Sequence, residues 1–305
     1  MITAPAGACT FKPRMSVGST MKVLLTTLLL FALRADAQEI DTTQDHRAGL
    51  IAALTELKSA STDLQRESAD QAIKTHLRPL LEASDAFTAG FDDVPMSRVD
   101  APDEVFRLFT WNVPREDGTN LFEGFLLARQ GSKVAVYELR DMTTSIPSPE
   151  VPELGPERWY GALYYEVIPV KKSGRTYYTL LGWKGYSKVE TRKVIEVLSF
   201  KSGRPRFGAA LFGKGKLKAM RKIYGYSFQA TMTLRYDPVM EGILMDHLSP
   251  SRADMENQPA YYGPDMTHDA YFWQKGEWIL ESDIDARDLK RNGRPFNPPR
   301  REGQP

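Results

Sequence analysis

From Val105 onward the chain is a nearly unbroken series of short β-branched and aromatic runs separated by glycine turns, and this pattern constrains its fold more than any other feature. The turns are Asp117-Gly118, Gln130-Gly131, Ser173-Gly174, Lys184-Gly185, Ser202-Gly203 and Lys275-Gly276. A dipeptide ending in glycine between two such runs favours a tight hairpin, because glycine adopts at no steric cost the positive φ that the turn requires. The runs are Phe106–Val113, Leu121–Leu127, Val134–Leu139, Leu163–Val170, Tyr177–Trp183, Lys193–Phe200, Ser227–Tyr236, Gly242–Asp246, Ala270–Trp273 and Trp278–Glu281. Strands joined mostly by hairpins predict an antiparallel meander, arranged as a sandwich, an open barrel or a propeller-like array. No blade motif recurs at a fixed period, which argues against a regular propeller.

Ahead of this body, Leu50, Leu54 and Leu57 recur at helical spacing, as do Ile73, Leu77, Leu80 and Leu81, with Ser59, Ser61, Thr62 and Asp63 between them. One apolar stripe on each helix predicts a helical hairpin, with Pro79 kinking or restarting the second helix. The expected fold class is therefore α+β and predominantly antiparallel β, a short N-terminal helical hairpin followed by a β-meander. Its units are the hairpin and linker at 38–100, the β domain at 101–286 and a flexible basic tail at 287–305. Ser145 to Pro156, with four prolines, is expected to be a long surface connection.

The N-terminus predicts export. Met21-Lys22 precedes the apolar run Val23 to Leu33, and Arg34 and the small-residue triplet Ala35-Asp36-Ala37 follow it, as in a secretory signal peptide over 21–37. Eleven residues are too few to cross a hydrocarbon core as a helix, which takes about 20. No transmembrane segment is expected in the mature chain, and residues 1–20 are expected to be an upstream extension. The single cysteine, Cys9, lies ahead of the expected cleavage and away from a lipoprotein site. A mature chain starting near Gln38 then has no thiol chemistry, disulfide or lipid anchor.

At 305 residues and a net charge of +1, no whole-chain excess points to nucleic acid. The charge is uneven, however: residues 38–160 carry 12 Lys and Arg against 22 Asp and Glu, and residues 161–305 carry 24 against 16. The densest basic stretch is Lys201, Arg204, Arg206, Lys214, Lys216, Lys218, Arg221 and Lys222, with no acid among them. It is the candidate contact surface for an anionic glycan, a lipid headgroup or a protein partner; a solvated strand pair whose lysines discourage edge aggregation explains it equally well. Gly208 to Lys214 imitates a phosphate loop, but Gly215 stands where a Ser or Thr hydroxyl would be needed.

The candidate catalytic groups are Asp246, His247, Asp265, His268 and Asp269, two imidazoles with adjacent carboxylates that can orient a base. Successive residues on a strand point to opposite faces, so Asp246 cannot simply support His247. Turn-forming Asp and Ser residues explain both segments without chemistry. Carboxylate-pair hydrolysis by Glu277, Glu281, Asp283 or Asp285 with Asp265 or Asp269 is a further option, and Trp111, Trp159, Trp183, Tyr261, Tyr262, Trp273 and Trp278 offer sugar-stacking rings. No cofactor motif is complete, and neither cofactor nor metal is expected.

The stretches RLFTWNVP at 107–114 with Asp117-Gly118, YYEVIPVK at 164–171, YYTLLGW at 177–183, ATMTLRYD at 230–237, DHLSP at 246–250 and YGPD at 262–265 resemble a family of uncharacterised exported proteins of Bacteroidetes-type bacteria. The resemblance covers most of the chain after Gln38. The family has no assigned activity, so the resemblance implies export and a β-rich body and carries over no catalytic residue. The leading expectation is a non-catalytic binding or interaction protein of the cell envelope. A secreted hydrolase acting on glycan or ester is the alternative, favoured if the five candidate side chains converge in one pocket.

Overall fold

The computed structural model describes residues 42–131, 133–213 and 218–285; the expected upstream extension, signal peptide and basic tail lie outside the described residues. Helix α1 (residues 42–59) and helix α2 (Asp63–Glu82) form the hairpin. Thr62 caps α2 in a reciprocal box: its Oγ1 accepts from Gln65 N–H, and Gln65 Oε1 accepts from Thr62 N–H, so two backbone donors at the helix start are satisfied. Pro79 lies inside α2 and does not restart it. It falls in the last turn, where Leu80 and Leu81 are buried and their packing holds the backbone helical.

Among the described residues thirteen strands follow in three antiparallel sheets. The first sheet holds β1 (Ser97–Asp100), β2 (Phe106–Pro114), β3 (Asn120–Gln130) and β4 (Lys133–Arg140) in chain order. In the second, β5 (Leu163–Lys172), β6 (Arg175–Gly185), β7 (Glu190–Lys201) and β8 (Arg204–Phe207) run in order, and β9 (Lys222–Ser227) also pairs with β7. The third is β10 (Leu234–Asp237), β11 (Gly242–Pro250), β12 (Tyr262–Gln274) and β13 (Glu277–Glu281). The hairpins at Ser173-Gly174, Ser202-Gly203 and Lys275-Gly276 have positive φ at both residues, the backbone that matches the twist of the flanking strands.

Side-chain alternation shows how the layers stack. On β2, Phe106 and Leu108 enter a core shared with Tyr178, Leu180, Val194 and Leu198 of the second sheet, whereas Phe109, Trp111 and Val113 enter a core shared with the two helices. On β7, Val194 and Leu198 face the first sheet, while Ile195 and Val197 face Leu234, Ile243, Met245 and Trp278 of the third. Helices, first sheet, second sheet and third sheet are thus four successive layers, and the two inner sheets are buried on both faces. This explains their nearly continuous apolar strands, such as LLG in β6 and VIEVL in β7.

Two expectations about strands and turns need correction. Ser227–Tyr236 is not one strand: β9 ends at Ser227, and β10 begins at Leu234 in a different sheet. Lys184-Gly185 is not a turn but the end of β6, with Lys184 buried. The proline-rich connection from Ser145 to Pro156 is anchored at points, since Leu154 and Phe207 exchange backbone hydrogen bonds and Ile146 and Leu154 are buried.

Candidate functional site

The basic stretch folds as the end of β7, strand β8, a loop and the start of β9. Lys214 and Lys216 lie outside the described residues. Although the stretch itself has no acid, the fold brings acids to it. Lys201 Nζ lies 2.6 Å from Glu153, Arg206 Nε 3.9 Å from the same carboxylate, and Lys222 Nζ 3.8 Å from Glu150. Lys218 pairs with Glu277, which Lys172 also approaches. Arg221 is fully buried: its Nε donates to the equally buried Glu196 at 2.7 Å, and its other nitrogens donate to the carbonyls of Pro149, Pro152 and Phe207. Of the six described cations, only Arg204 has no carboxylate within ion-pair distance. Among its described residues the stretch is therefore largely compensated by acids distant in sequence. Arg221 in particular is a fastening inside the protein, out of reach of a ligand.

The same end of the second sheet holds a different feature. β6 and β7 pair from Gly185 and Thr191 to Tyr178 and Leu198, and there the ladder stops although both strands run three residues further. Each extension pairs on its outer side, Arg175–Tyr177 with β5 and Ser199–Lys201 with β8, so the sheet forks. Between the arms lies a cleft of about 610 Å³ lined by Arg175, Thr176, Ser199, Phe200 and Lys201, with Arg129 reaching in from the first sheet.

Backbone direction in the fork follows from one hydrogen bond. Gly208 N–H donates to Val197 C=O (2.7 Å), so Val197 faces away from β6, and by alternation Leu198 and Phe200 face it. The register places Thr176 across from Phe200. By alternation both residues turn their N–H and C=O toward the cleft, beyond the last paired residues of the two strands. Ser199 is buried, and its Oγ has no hydrogen-bond partner. Arg129 lies 3.7 Å from Glu104 and Lys201 pairs with Glu153, whereas Arg175 has no ion pair among the described residues. None of the residues lining the cleft is acidic.

The five histidine and aspartate candidates gather on β11 and β12 but divide between the faces of the third sheet. On the inner face His247 Nδ1 lies 2.8 Å from Asp269 Oδ2, and His247 Nε2 lies 4.0 Å from Asp265. The hydrogen bond to Asp269, opposed by burial, raises the His247 pKa above its ordinary value, and the charges of Asp269, Asp265 and Asp283 add to the rise. Asp269 is buried, with Oδ1 unpartnered. On the outer face His268 Nε2 lies 3.5 Å from Asp246, its cross-strand neighbour. That pair lines a separate cleft of about 600 Å³ with Arg235, Thr267 and Asp283. Between the pairs the register slips, and Met266 projects into solvent with φ of 73°. The candidates form two His–Asp pairs, not one convergent pocket. Glu277 is committed to Lys218 and Lys172, which hold its carboxyl below the usual range, and Trp111, Trp159 and Trp278 are buried in the cores rather than offered as a platform.

Two charged clusters escaped the sequence reading. Under α2, Lys74 Nζ bridges Asp70 (3.0 Å) and Glu123 of β3 (2.9 Å), while Trp111 Nε1 donates to Asp70 (2.7 Å). Burial drives the Glu123 pKa up to about 7, against the pull of Lys74. Lys184 is 1% exposed and donates to the carbonyls of Tyr160 (2.9 Å) and Gly161 (2.8 Å), with Asp141 at 3.5 Å; burial lowers its pKa to about 8. The available signal was a lone charge inside an apolar strand, Glu123 between Phe122 and Gly124, and a lysine four residues after Asp70 on a helix.

Among the described residues no helix is long and apolar enough to cross a membrane, and no three His, Cys, Asp or Glu side chains are arranged to hold a metal ion. No protein-family model, curated protein or solved structure matches the chain.

Proposed function

We propose that this is an exported, non-catalytic binding protein of the cell envelope whose ligand site is the fork between β6 and β7. The observation that carries this reading is the composition of the cleft: cations, hydroxyls and backbone groups beyond the paired part of the ladder, with no acid among its lining residues. Clefts of this size that gather a few convergent polar groups are the usual form of a small-ligand site. The separation of the histidine and aspartate candidates onto two faces weighs against a single catalytic centre. Export rests on the signal-like segment 21–37 and on the resemblance to exported proteins.

The test is thermal unfolding of the purified protein against neutral sugars, anionic sugars, anionic polymers and divalent metals at low and moderate salt. A ligand that binds only the folded state raises the midpoint. A salt-sensitive rise with anionic ligands that is lost in Arg175→Gln supports the reading, and a rise unaffected by that substitution overturns it.

The second reading is a secreted hydrolase of glycan or ester. One observation favours it: buried Asp269 holds His247 Nδ1 and leaves Nε2 directed away as a base, on an imidazole side chain that is 42% exposed. Hydrolysis of chromogenic esters or glycosides that disappears in His247→Ala supports this reading over the first.

A further inference from the structure

We propose that the fork recognises a carboxylate-bearing sugar, with Arg175 meeting the carboxylate and the open backbone of Thr176 and Phe200 meeting the neighbouring hydroxyls. This rests on the fork being the ligand site and adds the class of ligand.

The cations set the charge. Arg175 is exposed at the mouth and has no ion pair among the described residues, so its guanidinium is available for two parallel hydrogen bonds to a carboxylate. Arg129 is partly spent on Glu104: Nε donates to its carbonyl at 3.0 Å, and the guanidinium lies over Phe87 at 4.1 Å. Lys201 is held by Glu153. Both keep the cleft positive without being the primary anchor.

The backbone sets what accompanies the charge. Thr176 and Phe200 each present an N–H and a C=O. A bare inorganic anion accepts hydrogen bonds only, so it would leave both carbonyls facing a negative charge. An added peptide strand draws its affinity from several consecutive backbone pairs, and the fork offers one residue on each arm. A sugar hydroxyl donates and accepts at once, so a ring with adjacent hydroxyls serves both arms. The half-buried Tyr177 also lines the cleft, and a ring face of this kind packs on the C–H side of a sugar. The volume of about 610 Å³ takes a di- or trisaccharide rather than a long polymer segment.

The experiment is amide NMR titration of the full-length protein with a glucuronate-containing disaccharide, and in parallel with the matched neutral disaccharide, sodium sulfate and an acidic tetrapeptide. The expected result is saturable shifts at Thr176, Phe200 and Ser199, strongest for the uronate and weakened at high salt. Arg175→Gln should weaken uronate binding about tenfold to a hundredfold, the equivalent of one charge-assisted hydrogen-bonded contact. Arg252→Gln, a surface change on an arginine already paired with Asp254, should leave binding unchanged. Equal affinity for the neutral disaccharide overturns the role of the carboxylate. Stronger shifts with sulfate or the tetrapeptide at the same amides overturn the sugar and leave the fork as the ligand site. Failure of all four ligands to move Thr176 or Phe200 overturns both the ligand class and the fork.

Discussion

Replacing Arg221 with methionine should be among the most damaging single changes in the protein. Its guanidinium and the Glu196 carboxylate are both fully buried, 2.7 Å apart. Removing one partner of such a pair leaves an uncompensated buried charge and costs about 3–5 kcal/mol. Glu196 would retain only the Val197 N–H at 2.9 Å. Three carbonyls, of Pro149, Pro152 and Phe207, also lose their donor, each adding on the order of 1 kcal/mol. The proline-rich connection is thereby released from the second sheet. Urea unfolding followed by tryptophan fluorescence measures the loss as a shift of midpoint at constant slope. Arg221→Met with Glu196→Leu separates the contributions, since it removes the stranded charge but not the orphaned carbonyls. The double variant should recover more than half of the loss. Burial raises the Glu196 pKa above its unfolded value, so in the single variant the deficit should grow as pH rises above the ordinary glutamate range. A loss below about 1 kcal/mol, or a double variant no more stable than the single one, refutes the reasoning.

Glu123, with its pKa up at about 7 and an unfolded value near 4.5, makes the folded state less stable as pH rises through that window, by up to about 3 kcal/mol. Glu123→Gln should flatten the pH dependence between about pH 5 and 8, and a curve parallel to that of the parent protein counts against the assignment. His247 is raised chiefly by Asp269, so its stabilisation is present below the ordinary histidine value and is lost as pH rises through the folded one. In an imidazole NMR titration Asp269→Asn should move His247 downward, and an unmoved pKa disproves the link. Lys184 should titrate near pH 8, seen in the nitrogen chemical shift of its side chain. Expression in an exporting host should yield a product lacking its first 37 residues, and an intact Met21 on the exported protein refutes the signal peptide.

The hairpins were legible because a tight turn leaves a local mark: Ser173-Gly174, Ser202-Gly203 and Lys275-Gly276 carry in two residues the backbone that reverses the chain. Strands β1, β8 and β9 were not, because SRVD, RPRF and KIYGYS are short and mix charges with the apolar positions, so their pairing is decided by neighbours distant in sequence. Lys184-Gly185 shows the opposite error. A lysine before glycine looks like a turn, and only the carbonyls of Tyr160 and Gly161 reveal why it is buried. The basic stretch misled for the same reason. Lys201 meets Glu153 across 48 residues, and a count of charges along the chain cannot register that. The fork has no sequence signature at all, since apolar and aromatic residues continue through Tyr177 and Phe200 after the ladder between them has ended.

The order of the layers in space is the order of their segments along the chain. Each layer completes a surface that the next one covers, so the fold can grow by accretion from its N-terminal end, with few contacts that must wait for a remote segment. A chain emerging from a membrane pore in that order would present one unfinished greasy face at a time. The last such face is that of Leu181, Ile195 and Val197, which stays uncovered until Leu234, Ile243, Met245 and Trp278 arrive. The third sheet is therefore the closing lid of assembly. Truncation before it should yield a species that aggregates through the middle of the molecule rather than through its ends.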